Sequence, residues 1–188
     1  MKSIKILQKE IFLHTFSLPC ENSRAFLDVQ VRQILGDILK LPPHSLEFLS
    51  TPQGKPYLNP TQNKLNLAFN LSHSKEKALL GIAIPKSSNP SIQIGVDIQK
   101  KRPVDALKIA GRFFHSEEYR HLLSTPYDLR EALFFEYWTQ KEAYVKCLGE
   151  KLGSRLKLPL KEVLKDFKLW HGLEDDFFYA VAIKNRPA

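Results

Sequence analysis

The chain has 188 residues, 43% of them hydrophobic and 26% charged, with two cysteines and a net charge of +8. That composition excludes a disordered chain and a disulfide framework. With no apolar run near the roughly 20 residues a membrane span needs, it also excludes a helical membrane protein. The length allows one ordinary domain or two small ones sharing a core. Cys20 and Cys147 stand far apart. The amino-terminal stretch is interrupted by Lys5, Gln8, Lys9 and Glu10, so it offers no signal-peptide apolar region, and the cytoplasm is the expected address. The positive balance attracts polyanions, whether nucleic acid, phosphorylated cofactors, acidic proteins or anionic membrane, without choosing among them. The basic residues are scattered, the longest run being Lys100-Lys101-Arg102.

Ser23 to Lys40 is predicted as an amphipathic helix. Phe26, Leu27, Val31, Ile34, Leu35, Ile38 and Leu39 recur near helical spacing, and Asn22 or Ser23 is placed to cap its start. Leu41-Pro42-Pro43 ends it, because proline disfavours helix in the residue before it. Thr51 to Tyr57, thick with turn residues, reads as loop. Short strands are predicted at Leu67 to Leu71 and Ala78 to Ile84, with a polar turn from Pro85 to Pro90. Ser91 to Gln99 is the clearest strand: Ile92, Ile94, Val96 and Ile98 share one face, and Gln93, Gly95, Asp97 and Gln99 the other. Lys100 to Pro103 is a connector, and the boundary between two halves, 1–99 and 100–188, is placed there. Beyond it come a helical stretch at Asp105 to Phe114, a second helix with Ser116 as N-cap followed by Glu117 and Glu118, and a long helix from Asp128 to Leu148 stopped by Gly149 and Gly153. Two final strands, Lys168 to Trp170 and Phe177 to Ile183, pair across His171 to Asp176. Each half has helix and strand, which permits an internal duplication without demonstrating one.

Three constellations carry chemistry. Asp97 and Gln99 share a strand face that is either plain solvent-exposed surface or a carboxylate offered to a hard cation such as magnesium. Glu142 and Lys146, four apart on a helix, with Lys141 a short rotation away, form either a surface ion pair or an acid–base face that holds metal and grips phosphate. Asn70-Leu71-Ser72-His73-Ser74, after a strand, is either a polar turn or a phosphate nest. A Ser/His nucleophile pair is weaker, since neighbours on an extended chain point apart and no GxSxG elbow is present.

Taken in order, Gly54-Lys55-Pro56, Phe69-Asn70-Leu71-Ser72-His73-Ser74, Gly95-Val96-Asp97-Ile98, Arg112-Phe113-Phe114 and Trp138 to Lys146 resemble the 4'-phosphopantetheinyl transferases. The nearer branch is the larger, pseudo-dimeric, surfactin-synthetase-activating type. The resemblance runs from about Arg24 to Leu160, and the GVDI and WxxKEAxxK blocks are its specific part. It implies an α+β fold of two similar halves about a pseudo-twofold axis, each a small antiparallel sheet with a long helix, with coenzyme A in the cleft between them. It further implies transfer of phosphopantetheine from coenzyme A to a serine of a carrier protein, either an acyl carrier protein or a peptidyl or polyketide carrier domain.

The roles it implies are specific. Asp97 and Glu142 hold magnesium. Glu142 or a water it orients takes the serine proton. Lys146 stabilises or protonates the leaving phosphate, Lys141 and His73 bind phosphates, and Lys55, Arg24 and Ser72 are candidates for the nucleotide end. Many relatives carry a second acid where this chain has Gln99, so the amide oxygen or a water is expected on that side of the metal. A monomer that binds neither nucleic acid nor membrane is expected. The competing expectations are a catalytically weakened carrier- or coenzyme-binding relative and, from another class, a basic nucleic-acid-binding module using Tyr57, Phe113, Phe114 and Tyr119.

Overall fold

The computed structural model describes residues 2–5, 11–86, 92–151, 153, 155–163 and 165–185. In chain order the elements are β1 (Lys2–Lys5), β2 (Ile11–Ser17), α1 (Ser23–Leu39), a 3-10 turn (Pro43–Ser45), β3 (Phe48–Ser50), β4 (Pro56–Leu58), β5 (Ala68–Ser74), β6 (Lys77–Ala83) and β7 (Ile92–Lys100), then α2 (Ala106–Phe113), α3 (Ser116–Ser124), α4 (Tyr127–Leu148), α5 (Leu160–Val163), β8 (Lys168–Glu174) and β9 (Phe177–Asn185). Residues 87–90 of the expected polar turn lie outside the described residues.

Two antiparallel sheets form, ordered β1-β2-β6-β5 and β7-β9-β8, besides the small β3-β4 pair. Leaving aside β1, the two are the same motif: a strand, then a long helix, then a hairpin whose second strand pairs with the first strand. The unit β2–α1–β5–β6 is repeated as β7–α4–β8–β9. Both hairpins close through two residues, Lys75-Glu76 and Asp175-Asp176, with positive φ at Lys75, Asp175 and Asp176. Such short connections match the twist of antiparallel strands, and Asp tolerates the left-handed conformation they demand. The fold is α+β with the expected duplication.

Alternate residues sort the layers. Phe16, Phe69, Ala78, Leu80 and Ile82 face Leu27, Val31, Ile34 and Leu35 of α1. From the opposite face of that sheet, Ile11, Leu13 and Leu79 meet Ile94, Val96, Ile98, Phe177, Val181 and Ile183. The far side of the second sheet presents Ala180 and Ala182 to Ala143 and Cys147 of α4. Helix, sheet, sheet and helix thus stack in four layers. Each fully buried aliphatic side chain between them contributes about 1.5–3 kcal/mol.

Several expectations need correcting. β2 was not foreseen; it is covered on both faces, so its sequence lacks the alternation that marks a half-exposed strand. Residues 70–74 are not a turn after a strand but part of β5, the turn coming at Lys75-Glu76. Likewise β8 continues through His171 to Glu174. The N-cap of α3 is His115, whose ring accepts from the Glu117 amide while Glu118 accepts from the His115 amide; Ser116 is the first helical residue. Strand pairing assigns β7 to the second half, because its register partner is β9.

β7 ends its sheet, and an edge strand exposes backbone donors that need partners. Here β5 runs alongside it and supplies side chains in place of a ladder. Asn70 Oδ1 accepts from the Val96 amide at 2.8 Å, Ser72 Oγ from Ile98 at 3.4 Å, and Ser74 Oγ from Lys100 at 3.1 Å. The constant offset of 26 residues means that β5 and β7 run in the same direction. This polar seam joins the two halves.

On the other side of β7, a Cβ at Gly95 would lie 2.1 Å from the Ala143 carbonyl oxygen and 2.2 Å from the Cys147 nitrogen. Only glycine permits α4 to lie so close. Gly95→Ala is expected to cost about 3 kcal/mol or more by overpacking, read from urea denaturation. A cost below about 1 kcal/mol would mean that α4 can move aside freely.

Candidate active site

Close packing at Gly95 sets α4 over the next outward-facing residue of β7, Asp97, which is fully buried. Its Oδ1 accepts from Lys146 Nζ at 2.6 Å and from Ser72 Oγ at 2.8 Å. Its Oδ2 accepts from Gln99 Nε2 at 3.2 Å. Lys146 Nζ also contacts Ser72 Oγ at 3.0 Å and Glu142 Oε2 at 3.4 Å. Two carboxylates, one ammonium and one hydroxyl thus converge from β5, β7 and α4.

Glu142 lies in the stretch from Thr139 to Val145, every residue of which is buried, and Lys146 is partly buried, so the two are not the wholly exposed pair their spacing permitted. An exposed pair is worth about 0.3–0.5 kcal/mol, whereas breaking a buried one costs several. Burial, followed by the charge of Asp97, pushes Glu142 up to about 7, against the pull of Lys146 and a hydrogen bond from Trp138. Burial opposes the charge on Lys146, but Asp97 and Glu142 together outweigh it and hold the ammonium above its ordinary value. Burial and the neighbouring Asp97 thus disfavour charge on Glu142, while the two carboxylates favour it on Lys146.

Of the expected site residues, the fold brings together Ser72, Asp97, Gln99, Glu142 and Lys146. Gln99 turns its amide nitrogen to Asp97, steadying that carboxylate. His73 points away from Ser72, as neighbours on a strand must, and is exposed; Arg24 is exposed on the first turn of α1. Neither joins the hydrogen-bonded cluster. Lys141 and Lys55 each make internal contacts of their own. Lys141 Nζ lies 2.7 Å from Glu118 Oε2 and donates to the Leu156 and Leu158 carbonyls, each at 2.7 Å. Glu118 also accepts from the amides of His115 and Leu160, so the pair fastens α3 and the segment before α5 to α4. Burial pulls Lys141 below its usual value, and Glu118 opposes that pull. Lys55 Nζ donates to the carbonyls of Ile94, Lys146 and Cys147.

Sequence reasoning missed Glu118 as a buried partner and Trp138 as a donor to Glu142. The latter was findable, since Trp138 lies one helical turn before Glu142. Phe113, Phe114 and Tyr119, weighed as stacking aromatics, pack in the core of the second half.

The donor set suits a hard cation: two carboxylates whose oxygens already converge on an ammonium. Among the described residues no cluster of three or more His, Cys, Asp or Glu is present, so water or substrate oxygens would complete the shell around any such ion. Among the described residues no helix is long and apolar enough to cross a membrane.

A buried carboxylate pair and a facing ammonium thus meet at the seam of an α+β duplicate, an arrangement able to hold a hard cation. Comparison with known proteins makes this specific. The model of the 4'-phosphopantetheinyl transferase superfamily matches residues 93–174, from β7 to β8. The chain is 40% identical over 125 residues to the 4'-phosphopantetheinyl transferase HetI of a Nostoc species, covering 66% of this chain and 50% of that one. It is 31% identical over 157 residues to the 4'-phosphopantetheinyl transferase psf-1 of Bacillus pumilus, covering 83% and 63%. With the 4'-phosphopantetheinyl transferase Sfp of Bacillus subtilis it shares 32% over 133 residues, covering 71% and 53%. The chain belongs to the 4'-phosphopantetheinyl transferase superfamily, and it matches between half and about three fifths of the length of these relatives.

Lys141→Met is expected to destabilise the fold by about 3–5 kcal/mol, because it strands Glu118 without its buried counter-charge. Adding Glu118→Leu should recover much of that loss. Denaturant midpoints of both variants check this, and a Lys141→Met protein as stable as the wild type would overturn the structural role.

Proposed function

We propose that this chain transfers 4'-phosphopantetheine from coenzyme A to a serine of an apo carrier protein, releasing adenosine 3',5'-bisphosphate. The observation that carries the reading is the convergence of the buried Asp97 and Glu142 with the partly buried Lys146 from two separate sequence blocks, in a member of this superfamily.

In this reading Asp97 and Glu142 hold magnesium, which when bound neutralises pyrophosphate charge and orients the leaving group. Glu142, directly or through a water, accepts the proton of the carrier serine, which is too weak a nucleophile unaided. The serine oxygen forms a new bond to the phosphorus bearing pantetheine, and the bond from that phosphorus to the bridging oxygen of the pyrophosphate breaks. The electron pair leaves on the 5'-phosphate of adenosine 3',5'-bisphosphate, where Lys146 stabilises it. Lys146, which here donates to Asp97, would be freed to meet the phosphate if Asp97 and Glu142 held a cation. Positioning and electrostatics supply most of the rate in such transfers.

His73 and Arg24, exposed and outside the cluster, are the residues left to meet the phosphates of the nucleotide end, with Ser72 shared between that end and Asp97. The net charge of +8 favours encounter with an acidic carrier surface. Since β5, β7 and α4 of one chain build the cluster, it works as a monomer, and a reducing cytoplasm is its setting.

Intact-protein mass spectrometry of an apo carrier incubated with this protein, coenzyme A and magnesium tests the reading. A gain of about 340 Da, one phosphopantetheine group, is expected and should vanish with EDTA. Asp97→Ala and Glu142→Ala should each lower the rate by about 100-fold or more while remaining folded. Full activity in either variant would overturn the site assignment. No gain with carriers of fatty-acid, polyketide and peptide-synthetase type would overturn the function.

A further inference from the structure

Lys55 sits in the first half, yet all three of its ammonium contacts lie in the second. Its Nζ donates to the Ile94 carbonyl at 2.8 Å, to Lys146 at 2.6 Å and to Cys147 at 3.2 Å. Lys146 and Cys147 stand in the last turn of α4, where the helix dipole is negative, and the Lys146 carbonyl also accepts from the capping Gly149 amide at 3.1 Å. Ile94 stands on β7, three residues before Asp97. An ammonium has three donors and no acceptor, so in this arrangement the three carbonyls occupy all of them.

The side chain is itself well held. The loop between β3 and β4 brings Thr51 and Lys55 together twice: the Thr51 amide donates to the Lys55 carbonyl at 2.9 Å, and Thr51 Oγ accepts from the Lys55 amide at 3.1 Å. Gly54 turns the chain at φ +87. At the far end, a Cβ on Gly149, the residue that terminates α4, would lie 3.4 Å from the Lys55 stem. Burial lowers the ammonium's affinity for its proton.

We infer that Lys55 is a positioning residue: it clamps the last turn of α4 to β7 and so sets where Lys146 and Glu142 stand relative to Asp97. The inference rests on the proposed function only for what that cluster does. It replaces the nucleotide-binding role expected for Lys55.

Lys55→Met, which keeps the stem and removes the three donors, separates the two roles. In the coenzyme-free full chain, amide hydrogen exchange over residues 143–149 should quicken by about tenfold. Turnover should fall by about tenfold or more, since small misplacements are costly, while KM for coenzyme A stays within about twofold. Raised KM with unchanged turnover and exchange would make Lys55 a coenzyme ligand and overturn the inference; so would no change in any of the three. Should Lys55→Met fail to fold, Thr51→Val loosens the loop without removing the lysine. The same pattern is then expected at smaller size, and unaltered exchange would overturn the clamp. If the wild-type chain modifies no carrier, the proposed function falls, and the exchange measurement still decides the clamp by itself.

Discussion

The contact between α4 and β7 at Gly95 governs the rest of the structure. With a helix backbone seated directly on a strand backbone, side chains one step along from the contact are forced toward one another. Asp97 follows Gly95 on the same face of β7, and Glu142 and Lys146 flank Ala143 and Cys147 on α4. A larger residue at 95 would lift the helix by the thickness of a side chain, and an interaction of 2.6 Å between Lys146 and Asp97 would not survive that displacement. The charge cluster is therefore a consequence of backbone packing first and of electrostatics second.

The duplicated fold shows the same point by contrast. Aligning the two hairpins at their turns sets β6 against β9, and the registers then set His14, opposite Leu80, in the place of Asp97, opposite Ala180. By the same rule Phe12, opposite Ile82, stands where Gly95 stands opposite Ala182. A phenylalanine at that position keeps α1 off its sheet, and a half-buried histidine whose affinity for a proton is lowered by burial replaces the carboxylate. One half kept the close approach and carries the charged cluster; its copy packs aromatic and aliphatic side chains in the corresponding layer.

Three lysines illustrate how little a cation's identity says about its use. Lys141 balances a buried glutamate and ties a segment down, Lys55 fills carbonyls at a helix end, and Lys146 alone faces two carboxylates at the seam. The polar residues of β5 follow the same logic. Asn70, Ser72 and Ser74 look like turn residues because their side chains replace a missing ladder along the edge of β7, and a polar strand face is what such an edge requires.

By itself the sequence determined the strand at Asp97 and the helices α1, α2 and α4 to within a residue or two, because alternation and helical spacing are properties of the chain read locally. It also determined the family, through the paired blocks around Asp97 and Glu142. What it left open was burial. A Glu four residues before a Lys reads identically on a wet helix and a dry one, and an alternating polar face reads identically toward solvent and toward another backbone. Strand β2, the assignment of β7 to the second sheet and the internal employment of Lys55 and Lys141 were decided only by the tertiary structure. Each depends on which distant backbone comes to lie alongside, and that is settled by packing whole layers rather than by any local run of residues.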